Sequence, residues 1–456
     1  MNKKLMALAV AGAVSAPGLA LAQPASVTPT AIAQPAGVAS NAGITLYGRL
    51  DETIMVDKYS VSGNGLIKDL KKGDVYSPGN AMGVRGREDL GGGTSVWFQL
   101  EIGVWPSERL DTATTTGNNW GGRNSAIGFT TGAGDILIGN WDTPYKVTYG
   151  VWNSMTSGGF SAAGITMGTA DSTGALNNAA CGTTVNNGTG SIAQAAPSNS
   201  SCVTEVTASG TAWSRRINNS VQYWTPIMGG FQVKLMTAMA PYQSPGGTAG
   251  EFASGLPKAK EYSANATWAR GPFSLGIGYD LHQGLRPATN AGGEANPKDT
   301  GVQIGGKWNF GPGEIGAGYE KISYGDQHSG AGGATGGKMD VPAYVVNGRF
   351  NIGPGAVWGS YSKTDAKSCS TSVTVIGTAA CGIQAKMFTL GYDYVLSKRT
   401  KMYVAYNKID NGFANGVGSS YYYIAGPAAN NPQGTSGGLA AGTDVTTFGL
   451  GIQHLF

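Results

Sequence analysis

Thr446-Thr447-Phe448-Gly449-Leu450-Gly451-Ile452-Gln453-His454-Leu455-Phe456 is the stretch that decides how the rest of the chain is read. Phe448, Leu450, Ile452, His454 and Phe456 share one face of this extended segment. Thr447, Gly449, Gly451, Gln453 and Leu455 share the other. Side chains alternate across a strand, so one face is largely apolar and ends on an aromatic, while the other is mostly small or polar. Such a strand fits a membrane barrel wall, with lipid outside and water inside. The expectation to carry along the chain is therefore an outer-membrane β-barrel.

The N-terminal end agrees. Met1 to Lys4 is a basic head, Leu5 to Ala16 an apolar run broken by Pro17, and Ala20-Leu21-Ala22 a small-residue cleavage site. Residues 1–22 read as a signal peptide, because the run is too short to span and ends in a cleavage motif. Residues 23–43 are Pro-, Ala- and Thr-rich and uncharged, and read as a disordered periplasmic extension. A pore plug is the other reading of that segment.

Composition bounds the class. With 74 Gly, 20 Tyr, 10 Trp and 13% charged residues, the chain is unlike helical enzyme domains and suits short strands, tight turns and aromatic girdles. The formal charge of +4 includes Lys3 and Lys4 of the signal, and no basic run suggests a nucleic-acid partner. Cys181 lies near Cys202 and Cys369 near Cys381, in loop-like segments. In an oxidising compartment two local loop disulfides are the economical reading of the three possible pairings.

Strand-period segments recur from Ile44 onward. Ile44 to Asp51 alternates. Val96, Phe98, Leu100, Ile102 and Val104 oppose Trp97, Gln99, Glu101 and Gly103, and Ile217, Asn219, Val221 and Tyr223 oppose Arg216, Asn218, Ser220 and Gln222. Connectors alternate between tight Gly/Pro turns, such as Phe310-Gly311-Pro312-Gly313, and long polar loops. Residues 44–456 thus read as an all-β transmembrane barrel of sixteen antiparallel strands, with short turns at one rim and long loops at the other.

Several stretches now resemble one family. Ile44-Thr45-Leu46-Tyr47-Gly48-Arg49-Leu50-Asp51 is similar to the opening strand of the trimeric Gram-negative porins, particularly the beta-proteobacterial type. Gly83 to Gly93, with its Gly-Arg-Glu-Asp-Leu-Gly core, resembles that family's second strand and turn. Ile127-Gly128-Phe129, Gly134 to Gly139, Arg216 to Tyr223 and Gly451 to Phe456 continue the match in order. The resemblance implies a homotrimer of sixteen-stranded channels in outer-membrane lipid, each with its third loop folded into the pore. It implies passive diffusion of small hydrophilic solutes and ions, without catalysis or cofactor. It also implies that Phe456 is a signal for the outer-membrane assembly machinery.

The connector 143–214 is far longer than an ordinary loop and is the expected constriction. From Val147 to Ser214 it holds no Lys or Arg, and its acids are Asp171 and Glu205. Arg49, Arg85, Arg87 and Arg216 fall on expected inward faces. A basic ring favours anions, so mild anion preference or weak selectivity is expected, with Asp171 the better acidic counterpart. Asn140, Gln453 and Leu455 stand where the family often carries positive charge, which shortens the basic ladder. Trp152, Phe160 and Met167 on the weakly charged loop offer a second reading, a substrate-selective channel binding neutral or aromatic solutes. A third is an adhesive or structural barrel closed to solutes. Glu52 interrupts the outward face of the first strand. It is read as buried against a neighbouring subunit, or as turned inward by a bulge. His282, His328 and His454 show no metal-ligand spacing and support no nucleophile–base pair, so neither a metal site nor an enzyme is expected.

Overall fold

A computed structural model of the protein describes residues 43–61, 70–104, 106–107, 121–155, 160, 213, 216–239, 260–283, 298–327, 337–365, 368–369, 384–411, 413–414, 417–418 and 443–456. The expected signal peptide, most of the 23–43 extension, Met167, Asp171, Cys181, Cys202 and Cys381 lie outside them, so neither disulfide is described.

The wall is a closed antiparallel sheet. Its first strand, β1 (Gly43–Val61), pairs with the last, β16 (Thr443–Leu455). Between them run β2, in two arms (Leu70–Tyr76 and Ala81–Gly91), β3 (Thr94–Gly103), β4 (Ser125–Thr131), β5 (Gly134–Asp142) and β6 (Arg216–Trp224). The wall continues through β7 (Phe231–Met239), β8 (Lys260–Arg270), β9 (Phe273–Gln283), β10 (Lys298–Asn309) and β11 (Gly313–Gln327). It is completed by β12 (Gly337–Ile352), β13 (Gly355–Asp365), β14 (Gln384–Val395) and β15 (Thr400–Asn411). Each strand pairs with its sequence neighbours, giving sixteen wall strands. Ser368–Cys369 adds a two-residue patch against β12.

Closure follows from the C-terminal segment. Phe456 extends the β16–β1 ladder by one pair, with the Gly48 and Phe456 amides exchanging hydrogen bonds of 3.0 and 3.1 Å. The Phe456 ring lies over Gly48, where a Cβ would come within 2.3 Å of it. A glycine on β1 thus makes room for the closing aromatic.

The outer face is exposed and apolar, and the burial alternates along the strands as the period-two pattern requires. Aromatics gather near both rims over β6–β16. Phe231 lies 6.0 Å from Trp268, Trp308 5.3 Å from Phe310, and Tyr319 5.2 Å from Tyr344. These are the interfacial girdles of a membrane barrel.

Two strand details differ from the sequence reading. The connector expected over 58–80 is mostly strand: β1 runs on to Val61, and the first arm of β2 pairs with Thr53 to Tyr59. Between Arg49↔Ala81 and Thr53↔Tyr76, the four residues Ser77 to Asn80 face the three residues Leu50 to Glu52, a bulge. The bulge sits on β2, not β1. It does not turn Glu52 inward; it brings partners to it. Glu52 Oε1 accepts from Ser77 Oγ at 2.7 Å and from Asn80 Nδ2 at 2.9 Å.

The second detail concerns β6. Asn219 adopts a left-handed backbone (φ 52°), and the β5–β6 register slips between Gly139 and Trp141. Asn tolerates that conformation better than most residues. The slip puts Ile217 on the inner side with Met236 and Ala238. The simple grouping of Arg216 with Ser220 and Gln222 therefore fails beyond the bulge, and Arg216 is placed by its own contacts.

Candidate functional site: the divided lumen

After β5 the chain leaves the wall and enters the barrel. Thr143 caps a short helix, α1 (Pro144–Thr148), by accepting from the Lys146 amide at 3.1 Å, and Pro144 starts it. A single 3₁₀ turn, Tyr149–Val151, follows. This segment crosses the inside of the wall from β8 to β12. The Tyr145 amide donates to Ser263 Oγ at 2.9 Å, and Asn265 Nδ2 donates to the Pro144 carbonyl at 2.9 Å. Tyr145 OH donates to Glu320 Oε1 at 2.5 Å, and the Ser154 amide to Asn347 Oδ1 at 2.7 Å. Phe160 then lies against Gly449 of β16.

Glycines make that path possible. Gly276 and Gly278 of β9, Gly301 and Gly305 of β10, and Gly316 and Gly318 of β11 share the inner face. A Cβ at Gly305 or Gly318 would come within 2.5 Å of the Trp152 ring, and one at Gly316 within 1.9 Å of the Trp152 carbonyl oxygen. Trp152 and Phe160 are each 1% exposed. They anchor the loop to the wall, which corrects the idea that they offer a surface to passing solute.

The other side of the lumen is charged. Arg85 lies over the Tyr47 ring at 4.9 Å, and Tyr47 OH donates to Glu101 Oε2 at 3.0 Å. The other oxygen of Glu101 accepts from Arg123 Nε at 2.6 Å. Next to Arg123, Asn124 Oδ1 accepts from Arg216 Nε at 2.9 Å, and Asn124 Nδ2 donates to Asp142 Oδ2 at 2.8 Å. Asp142 Oδ1 lies 2.7 Å from Lys146 Nζ and 3.3 Å from Arg216 Nε. Arg49 donates to the carbonyls of Pro78 and Gly79 in the β2 bulge. Arg87 is half-buried, one inward position nearer the short turn. Burial, helped by the nearby Arg216 charge, pushes Lys146 down to about 8.

Of the arginines expected from sequence, Arg85 and Arg216 thus enter one network and Arg49 borders it. Arg123 and Lys146 were missed, although Thr143-Pro144 is a readable helix start that carries Lys146. Asn140 donates to the Gly121 and Arg123 carbonyls at 2.9 and 3.2 Å, holding the segment that presents Arg123. Gln453 donates to Asp51 Oδ2 at 2.7 Å, so a neutral amide sits where a cation was looked for. Leu455 pairs opposite Arg49.

Acidic groups lie on the wall behind the loop. Glu261, Asp280, Asp299 and Glu320 are all buried there, and His282 stacks on Trp213 at 4.0 Å. Glu261, Asp280 and His282 bring ligand-type atoms within 4.8 Å of one another. Sequence spacing hid this cluster, because its members come from two strands. Each of the three is already engaged in other interactions.

A closed sixteen-stranded barrel with aromatic girdles, crossed inside by a loop and lined by charge, defines a transmembrane β-barrel of the outer-membrane type. The chain belongs to the Gram-negative porin family, whose model matches residues 7–414. It is 24% identical to outer membrane porin protein 32 of Delftia acidovorans over the full length of both. It is 30% identical to the major outer membrane protein P.IB of Neisseria gonorrhoeae over 27% of this chain. The chain spans about a third of the length of the Neisseria relatives it matches. Among solved structures it resembles the anion-selective porin from Comamonas acidovorans (TM-score 0.60, 20% identity, 91% of this chain and 100% of that one). It also resembles the trimer form of OmpT of Vibrio cholerae (TM-score 0.53, 13% identity, 91% and 99%). At these identities the likeness is one of fold.

Proposed function

We propose that the protein is an outer-membrane channel for passive diffusion of small hydrophilic solutes and ions, with mild anion preference and no catalytic role. The observation that carries this reading is the balance around the open side of the lumen. In the network around Glu101 and Asp142, Arg49, Arg85, Arg123, Lys146 and Arg216 meet Asp51, Glu101 and Asp142, five cations against three acids, while Arg87, Asp57 and Asp135 lie on the same inner wall outside that network. A net positive lining attracts anions weakly while leaving neutral solutes free to pass. The anion-selective Comamonas porin on the same fold and the full-length Delftia relative support it.

The working unit is a homotrimer. The outward face of β1–β5 carries no Tyr or Trp among the described residues, although β6–β16 carry both girdles. In the middle of that face sits Glu52 with Ser77 and Asn80, a polar knot unsuited to lipid. A neighbouring subunit would cover it, and Phe456 would serve assembly rather than transport.

Planar-bilayer recording and liposome swelling test this reading. Open-channel conductance with uptake of small neutral solutes is expected, in steps of three. A silent barrel would favour an adhesive or structural role. Block by one solute at low concentration would favour the substrate-selective reading.

A further inference from the structure

Lys234 of β7 is a lumen cation that the network around Glu101 and Asp142 does not contain. It is half-buried on the inner face, between Gln232 and Met236, and close to the short turn that precedes the strand. Its cross-strand partners are Trp224 on β6 and Asn265 on β8. Asn265 Nδ2 also bonds the Pro144 carbonyl at 2.9 Å, in the first turn of α1. Lys234 therefore stands beside the start of the helix that carries Lys146.

What sets Lys234 apart is how its charge is held. Farther round the wall, Lys307 pairs with Glu314 at 3.3 Å, and Arg349 and Lys401 share Asp393 at 3.0 and 3.1 Å. Lys234 forms no ion pair among the described residues; its ammonium lies 4.2 Å from the centroid of the Trp224 ring. The acids whose field reaches it are Asp135, opposite Trp224, and Asp142. Asp142 is already engaged by Lys146 and Arg216, and Asp135 has interactions of its own. A ring face stabilises an ammonium by about 0.5–2 kcal/mol and leaves its positive charge intact. A carboxylate would stabilise it too, but would cancel most of its field.

The ring is itself fixed. Trp224 packs on Trp141 at 6.0 Å and Trp141 on Trp97 at 5.7 Å, in a buried cluster with Leu137 and Ala126. Trp224 Nε1 donates to Gln222 Oε1 at 3.0 Å, and Gln222 Nε2 to the Asp142 carbonyl at 3.1 Å. The Asp142 side chain holds Lys146 and Arg216, so one chain of contacts sets the positions of all three cations.

We propose that Lys234 is a further specificity-determining residue, a second station that an anion meets on the short-turn side of Lys146 and Arg216, with the indole cluster as the cradle that presents it. This role rests on the protein being a diffusion channel with anion preference, and it spreads that preference over two sites in series. Ions pass quickly where each site is weak enough to leave. A lone ammonium on a flexible stem is such a site.

The test is the reversal potential of the full-length channel in planar bilayers under a KCl gradient, at about 0.1 M and about 1 M mean salt. K234Q should lower the chloride-to-potassium permeability ratio by roughly twofold at the lower salt. The loss should fade at the higher salt, where the Debye length is about 3 Å. K234R should keep the wild-type ratio. W224L, with the charge present and the ring gone, should fall between wild type and K234Q; a wild-type ratio in W224L would remove the cradle. A merely structural lysine would give a loss that ignores salt. An anion-preferring wild type matched by K234Q, an equal loss in K234R, or a loss that persists at 1 M salt would overturn the proposal alone. A wild type without anion preference would overturn the channel's proposed selectivity and this role with it.

Discussion

The inner wall of the barrel has two sides built on opposite plans. On β9–β11 six inward positions are glycine, and the space there is filled by α1, Val151 and Trp152. On β1–β6 the inward positions hold arginine, glutamate and asparagine, joined in a network that leaves cations in excess. One side positions the obstruction and the other lines the passage. On the proposed reading, the narrowing comes from packing and the charge preference from the wall left uncovered. Among the described residues, the acids on β8–β11 lie behind the loop, where Glu320 accepts from Tyr145 rather than facing the channel.

The largest disturbance comes from filling the glycine side. Gly316→Val puts carbon where the Trp152 carbonyl now sits. Overpacking of this kind costs about 1–3 kcal/mol, borne by a loop held by a handful of hydrogen bonds. Single-channel conductance should rise and become noisy, with ion preference reduced. Unchanged current would mean that the loop does not rest there.

Next in size is loss of charge from the arginine side. The Arg123→Gln/Arg216→Gln double variant removes two cations and leaves Glu101 and Asp142 in place. The five-to-three balance becomes three to three. The reversal potential in a KCl gradient should move to the cation side of wild type, with little change in conductance.

A smaller, graded effect is expected with pH. Lys146 loses its proton near pH 8. Anion preference should be full below that pH and decline as pH rises through it, since one positive charge leaves the lining. Lys146→Gln should sit at the lower preference throughout and respond less to pH between 7 and 9. An identical pH response in that variant would remove Lys146 from the account.

Smallest is Tyr145→Phe. It deletes the hydrogen bond to Glu320, worth about 1.5–3 kcal/mol when the partner is charged. The loop keeps its other anchors, so conductance and selectivity should hold while the voltage needed to close the channel falls.

Much of this architecture was legible in the residues. Alternation in the closing strand, the Gly/Pro turns and the unequal connectors lead to a sixteen-stranded barrel because period-two patterning and turn chemistry are local signals. The expected constriction loop starts where β5 ends, at Asp142. What stayed hidden was non-local. Gly276, Gly278, Gly316 and Gly318 read as ordinary strand glycines until Thr148 and Trp152 are seen against them. Arg123 lies at the end of a long polar connector, and it is presented by non-local contacts, the carbonyl bonds of Asn140 and the amide bonds of Gly121 and Arg123 to the Glu101 carbonyl. Arg216 was placed by an alternation that Asn219 interrupts, because bulges have weaker sequence signatures than strands.

The division of the lumen is tested most directly by a cross-link across the glycine side. An ideal Cβ at Gly276 lies 3.3 Å from the Val151 Cβ, close to disulfide geometry, for which Cβ atoms sit about 3.5–4.5 Å apart. In the V151C/G276C variant, a disulfide should form on mild oxidation, seen as a linked peptide, and the oxidised channel should keep wild-type conductance and anion preference. Failure to link, or a linked channel with altered current, would contradict a loop seated on β9 with the passage along the arginines.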